Sequence, residues 1–132
     1  MTRHEMRECI FCLLFQNDFY ATEEFGEQRD NFLGEKKMTD REREEILAKL
    51  ERLIDCLPGI DEKISKYSKG WKIDRIAKAE LAILRLASYE ALYDDDVPVG
   101  VAVNEAVELA KQYGDDNGPS FVNGILGKIV NE

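Results

Sequence analysis

Along nearly the whole chain, apolar residues recur at three- and four-residue steps, and the only prolines are Pro58, Pro98 and Pro119. That spacing lines apolar side chains along one face of an α-helix, whereas a half-buried strand would alternate every second residue. No segment alternates in that way. The chain is therefore expected to be all-α, with about seven helices. Its 132 residues suit one domain, 1–132, large enough to bury a core without disulfides or metal. At 44% hydrophobic and 34% charged residues it falls outside the range of disordered chains.

The first helix is predicted from about Arg3 to Tyr20, with Met6, Cys9, Ile10, Leu13 and Leu14 on its apolar face. Between Ala21 and Lys37 the pattern is weaker, and Phe25, Phe32 and Leu33 anchor a second helix there. Thr39 or Asp40 suits the cap of a helix over Arg41 to Leu57, whose face is Ile46, Leu47, Leu50, Leu53, Ile54 and Leu57. Pro58-Gly59 reads as its end. A short helix follows from Asp61 to Ser68, closed by Gly70. Asp74 caps a turn over Arg75 to Lys78. Ala79 to Tyr93 is apolar on more than one stripe, as a helix surrounded by others would be. Pro98 opens the next helix and Gly114 stops it; Asp115 to Pro119 reads as a loop, and Ser120 as the cap of the last helix.

The chemistry available is sparse. Cys9 and Cys12 form a Cys-x-x-Cys pair, but it falls in mid-helix beside the apolar face, where buried structural thiols are the better reading. A zinc site would need two more ligands, and only His4 and Cys56 are on offer. With one histidine, neither a hydrolytic triad nor a histidine-rich metal centre can be assembled. Glu105 and Glu108 suggest half a di-iron helix, yet the partner Glu-x-x-His motifs are missing. Glycines stand singly rather than in a phosphate-binding loop. The expectation is no enzyme, no metal and no cofactor. No apolar run approaches the ~20 residues of a membrane helix, and the N-terminal stretch lacks the form of a secretion signal. A cytoplasmic protein with reduced thiols is expected.

A net charge of -9 opposes strong non-specific binding to nucleic acid. Lys63, Lys66, Lys69, Lys72, Arg75 and Lys78 nevertheless form a basic segment with Asp74 as the only acid after Lys63 (six cations and one anion, net +5). It reads first as a solvated lysine face and second as a phosphate-contacting stripe. Asn123-Gly124 interrupts a helical pattern, and a glycine there costs ~1 kcal/mol against alanine, so close packing or a ligand is implied. Phe121 reads as core or as an aromatic platform for a base.

The run Ala82-Ile83-Leu84-Arg85-Leu86-Ala87-Ser88-Tyr89-Glu90, then Val97-Pro98, then Val101 to Lys111 with Asn104-Glu105, then Gly114 and Phe121-Val122-Asn123-Gly124-Ile125-Leu126, resembles the NusB family of bacterial transcription antitermination factors. The N-terminal Arg3-x-x-x-Arg7-Glu8-Cys9 and Leu14-Phe15 resemble that family's first helix. The likeness is strong from Lys72 to Val130 and weaker before it. It implies two packed helical bundles, about 1–70 and about 71–132. It also implies a protein that pairs with a ribosomal protein, called NusE in this role. Together the two bind boxA RNA of nascent ribosomal RNA transcripts and join the RNA polymerase antitermination complex.

Carried over by position, the resemblance assigns RNA contacts to Arg3, His4, Arg7, Phe15, Asp116, Asn117, Ser120 and Phe121. It assigns NusE contacts to Asp74, Glu80 and Arg85, since carboxylates suit a basic ribosomal partner. The sequence departs from the family at His4 and Glu5, where further arginines are expected, at Cys12 for a glutamine and at Ser120 for a lysine. Each departure removes a contact, so weak RNA binding is expected without NusE. The rival reading is a protein-only helical adaptor or homodimer without appreciable RNA binding.

Overall fold

A computed structural model describes residues 1–19, 22–69 and 72–132, with only the backbone of Thr22. The described residues form six α-helices: α1 (Arg3–Asn17), α2 (Thr22–Gly34), α3 (Asp40–Tyr67), α4 (Lys78–Tyr93), α5 (Val99–Tyr113) and α6 (Gly118–Val130), with a 3-10 turn at Ile73–Arg75. Helix α1 ends at Asn17 with Asp18 as its cap, short of the expected Tyr20. Tyr20 itself, the expected stop at Gly70 and the junction near residue 70 lie outside the described residues.

The helix count falls from about seven to six because α3 does not stop at Pro58-Gly59. Ile46, Leu50, Leu53, Ile60 and Ile64 are all buried, at 0–2% exposure, so one apolar stripe keeps its phase through the proline. A proline inside a helix costs ~3 kcal/mol. Burying the two isoleucines beyond it is worth roughly 1.5–3 kcal/mol each, which is enough to carry the helix on. Pro58 has no N–H for the Ile54 carbonyl. The chain divides into two compact units at that place, Met1–Ile54 and Asp55–Glu132.

In the first unit, α1 packs on α2. Helix α1 starts with a capping box at Thr2: its hydroxyl accepts from Glu5 N–H at 3.0 Å, and Glu5 accepts from Thr2 N–H at 2.9 Å. Thr39 repeats the motif for α3, accepting from Glu42 N–H at 3.1 Å while Glu42 accepts in return at 2.8 Å. Leu13 and Leu14 are fully buried, as their place on the predicted face requires.

In the second unit, α4, α5 and α6 pack on one another. Every residue of α4 from Glu80 to Glu90 is buried, as all-round apolarity predicts for a central helix. Four of those buried residues are polar or charged. Arg85 donates from Nε and Nη2 to the two oxygens of Asp61, each at 2.9 Å. The last helix begins earlier than expected: Asn117 is its cap and Pro119 lies in its first turn, so Ser120 is a helical residue rather than the cap.

Where α6 ends, the Glu132 carboxylate accepts from Lys63 Nζ and from Tyr67 Oη at 2.7 Å, with Lys66 at 3.4 Å. The Lys63 hydrogen bond, then that of Tyr67, pulls its pKa from 4.5 down to about 2. A lowered carboxylate pKa stabilises the fold above the unfolded value and loses that effect as pH falls through the folded one. Wild type should therefore melt above a Glu132→Gln variant at neutral pH. The gap should close between pH 4.5 and about 2, as read by thermal melts across that range.

Candidate nucleic-acid interface

Four of the predicted RNA residues belong to the first unit and four to the second. In the first, Arg3 and His4 are exposed on the opening turn of α1, and His4 Nε2 stands 3.9 Å from a Glu8 oxygen. Arg7, one turn on, is 7% exposed. Its position therefore offers solvent far less charge than the sequence pattern suggests. Phe15 is half-buried between Phe11 and Phe19, with ring centroids 6.3 and 4.9 Å away. Phe19, 57% exposed, is an aromatic the sequence reading passed over. The four-residue spacing of Phe11, Phe15 and Phe19 carried the signal.

Cys9 lies on the same helix, 5% exposed, and burial pushes its thiol pKa up. It stays a protonated, poor nucleophile, which fits a structural thiol. Among the described residues no three His, Cys, Asp or Glu side chains gather as metal ligands. Among them, too, no helix is long and apolar enough to cross a membrane.

In the second unit the turn between α5 and α6 is tightly hydrogen-bonded. Asp115 Oδ1 accepts from Asn117 N–H, the Asp115 carbonyl from Gly118 N–H and the Asn117 carbonyl from Phe121 N–H, each at 3.0 Å. Asp116, Asn117 and Ser120 are exposed and Phe121 is half-buried. Asn117 and Phe121 come together in a pocket of about 240 Å³, with Arg75, Ile76, Ala77, Glu80 and Asp115. Ser120 lies apart from it, in a groove with Asn104, Lys111 and Asn123. The pocket is smaller than the roughly 300 Å³ at which drug-sized ligand sites begin. With Ile76, Ala77 and Phe121 beside polar and charged side chains, its lining suits one base or one side chain. Arg75 was legible only as part of a basic stripe; the fold puts it beside Phe121.

The predicted partner residues divide sharply. Asp74 is exposed on the 3-10 turn, whereas Glu80 and Arg85 are 4% and 8% exposed. Arg85 is held by Asp61, and Glu80 accepts a hydrogen bond from Asp115 N–H at 3.3 Å. Within the basic stripe, Lys63 and Lys66 are engaged by Glu132, while Lys69, Lys72, Arg75 and Lys78 are exposed.

The model of the NusB family matches residues 4–131. The transcription antitermination protein NusB of Agathobacter rectalis is 45% identical over 131 residues, spanning 98% of this chain and 100% of that protein. The structure of T. maritima NusB superposes with a TM-score of 0.88 at 33% identity, covering 100% of this chain and 92% of that one. A chain from a crystal structure of the antitermination factors NusB and NusE in complex with double-stranded RNA gives a TM-score of 0.82 at 27% identity. That match covers 99% of this chain and 98% of the other. With the family's pattern matched from end to end on a fold of the same architecture, the chain belongs to the NusB family.

Proposed function

We propose that this protein is a transcription antitermination factor. Together with the ribosomal protein NusE, it binds boxA RNA in nascent ribosomal RNA transcripts and joins the RNA polymerase antitermination complex. The observation that carries this reading is the end-to-end likeness to a chain crystallised with NusE and RNA. The pocket that joins Phe121, Asn117 and Arg75 supports it, since it supplies a ring, an amide and a guanidinium at one place. In this reading the protein is a cytoplasmic adaptor, neither an enzyme nor a cofactor carrier. Its RNA contacts are Arg3, His4, Phe15, Asp116, Asn117, Ser120 and Phe121, with Arg7 acting through the packing of α1. Asp74 faces NusE. A net charge of -9 leaves the RNA affinity dependent on positive charge brought by NusE.

Two substitutions test this in the NusE heterodimer. Phe121→Ala should weaken boxA binding by about tenfold, the loss of one base-stacking contact. Arg3→Glu should lower affinity and flatten the salt dependence by about one counterion, and Arg3 is the cleaner choice because Arg7 is buried. Unchanged RNA binding in both variants would favour the protein-only adaptor.

A further inference from the structure

Glu80 is a buried acid on the first turn of α4, and its own helix makes no use of it as a cap. The α4 N-cap is Ala77, which has no side-chain oxygen, so no capping box forms there. The helix dipole favours an acid on that turn. The carboxylate instead accepts Asp115 N–H, across the fold on the α5–α6 turn. The glycines on either side of that turn fit this arrangement. Gly114 has φ -88° and ψ 179°, which any residue adopts, so its backbone does not require glycine. Space does: a Cβ at Gly114 would stand 2.8 Å from the Ala110 carbonyl and 3.2 Å from Glu80 Oε1. At Gly118 a Cβ would stand 3.0 Å from the same oxygen. The turn is thus seated on one carboxylate. From Asp115 a continuous set of hydrogen bonds runs through Asn117 and Gly118 to Phe121.

We propose that Glu80 is a positioning residue for RNA recognition. It holds the Asp115–Asn117 turn, and through it Phe121, in the shape that receives RNA, rather than contacting the protein partner. This rests on the proposed function for its RNA readout but not for its structural one. The test compares wild type, Glu80→Ala and Glu80→Gln in the full chain. Glutamine keeps an acceptor for Asp115 N–H and removes the charge.

Exchange protection of the Asp115 amide, followed by NMR, should fall about tenfold in Glu80→Ala and persist in Glu80→Gln, the expected loss for one hydrogen bond to a charged acceptor. Affinity of the NusE heterodimer for boxA RNA should fall about tenfold in Glu80→Ala and recover to within about twofold in Glu80→Gln. Affinity for NusE without RNA should be the same in all three. If Glu80→Ala does not fold, Gly118→Ala, which sets a methyl against the carboxylate, should reproduce the RNA defect. Loss of NusE binding in Glu80→Gln would overturn the proposal, because it would make the charge a partner contact. So would unchanged Asp115 protection in Glu80→Ala. Failure of the wild-type heterodimer to bind RNA would sink the functional reading, while the amide measurement would still decide the role of Glu80.

Discussion

Leu84→Ala is expected to destabilise the protein by about 3–5 kcal/mol, the largest effect of any single apolar truncation considered. Leu84 has no solvent exposure, and the ten residues around it on α4 are buried too. Helices α5 and α6 both pack on α4, so no open side lets the neighbours collapse into the void. Against a typical stability of ~5–15 kcal/mol this is a large share, and it should lower Tm by about 10 °C or more. Leu92→Ala, on the same helix but 36% exposed, is the control and should cost under about 1 kcal/mol. Urea unfolding of both variants checks the contrast. Equal losses would mean that α4 is not the centre of the core.

Asp61→Ala should cost about 3 kcal/mol, towards the lower end of what breaking a buried pair costs, because Asp61 keeps 28% exposure. Arg85, whose side chain is 9% exposed, would lose the carboxylate that takes both its Nε and Nη2 hydrogen bonds. The damage comes from a buried guanidinium that has lost this carboxylate, so the double variant Asp61→Ala/Arg85→Met should regain part of the loss. Denaturant melts of the two singles and the double give the coupling directly. If Asp61→Ala proves harmless, Arg85 is not a structural cation and its assignment to the NusE surface regains force.

The helices that the sequence made plain are those whose patterns are local. All-round apolarity marked α4 as central, Gly114 marked the end of α5, and the pair Thr39 or Asp40 marked the start of α3, where Thr39 makes the cap. What stayed hidden depends on a comparison of energies or on distant neighbours. Pro58-Gly59 carries a strong stop signal, and only the unbroken phase of Ile46, Leu50, Leu53, Ile60 and Ile64 argues against it. In the site, Asn117 and Phe121 were named, with Asp116 and Ser120, only through the family resemblance; that Asn117, Phe121 and Arg75 line one pocket emerges only from the fold. Glu80 and Arg85 look like surface charges in sequence because their partners, Asp115 and Asp61, lie 35 and 24 residues away.

The most direct test of the central claim is a fluorescence-anisotropy titration of boxA RNA at ~0.15 M salt, with the protein alone and with NusE. An anion of net charge -9 needs its partner's charge, so binding should be weak alone and tighten sharply with NusE. A NusE complex that forms yet leaves the RNA unbound would contradict the account.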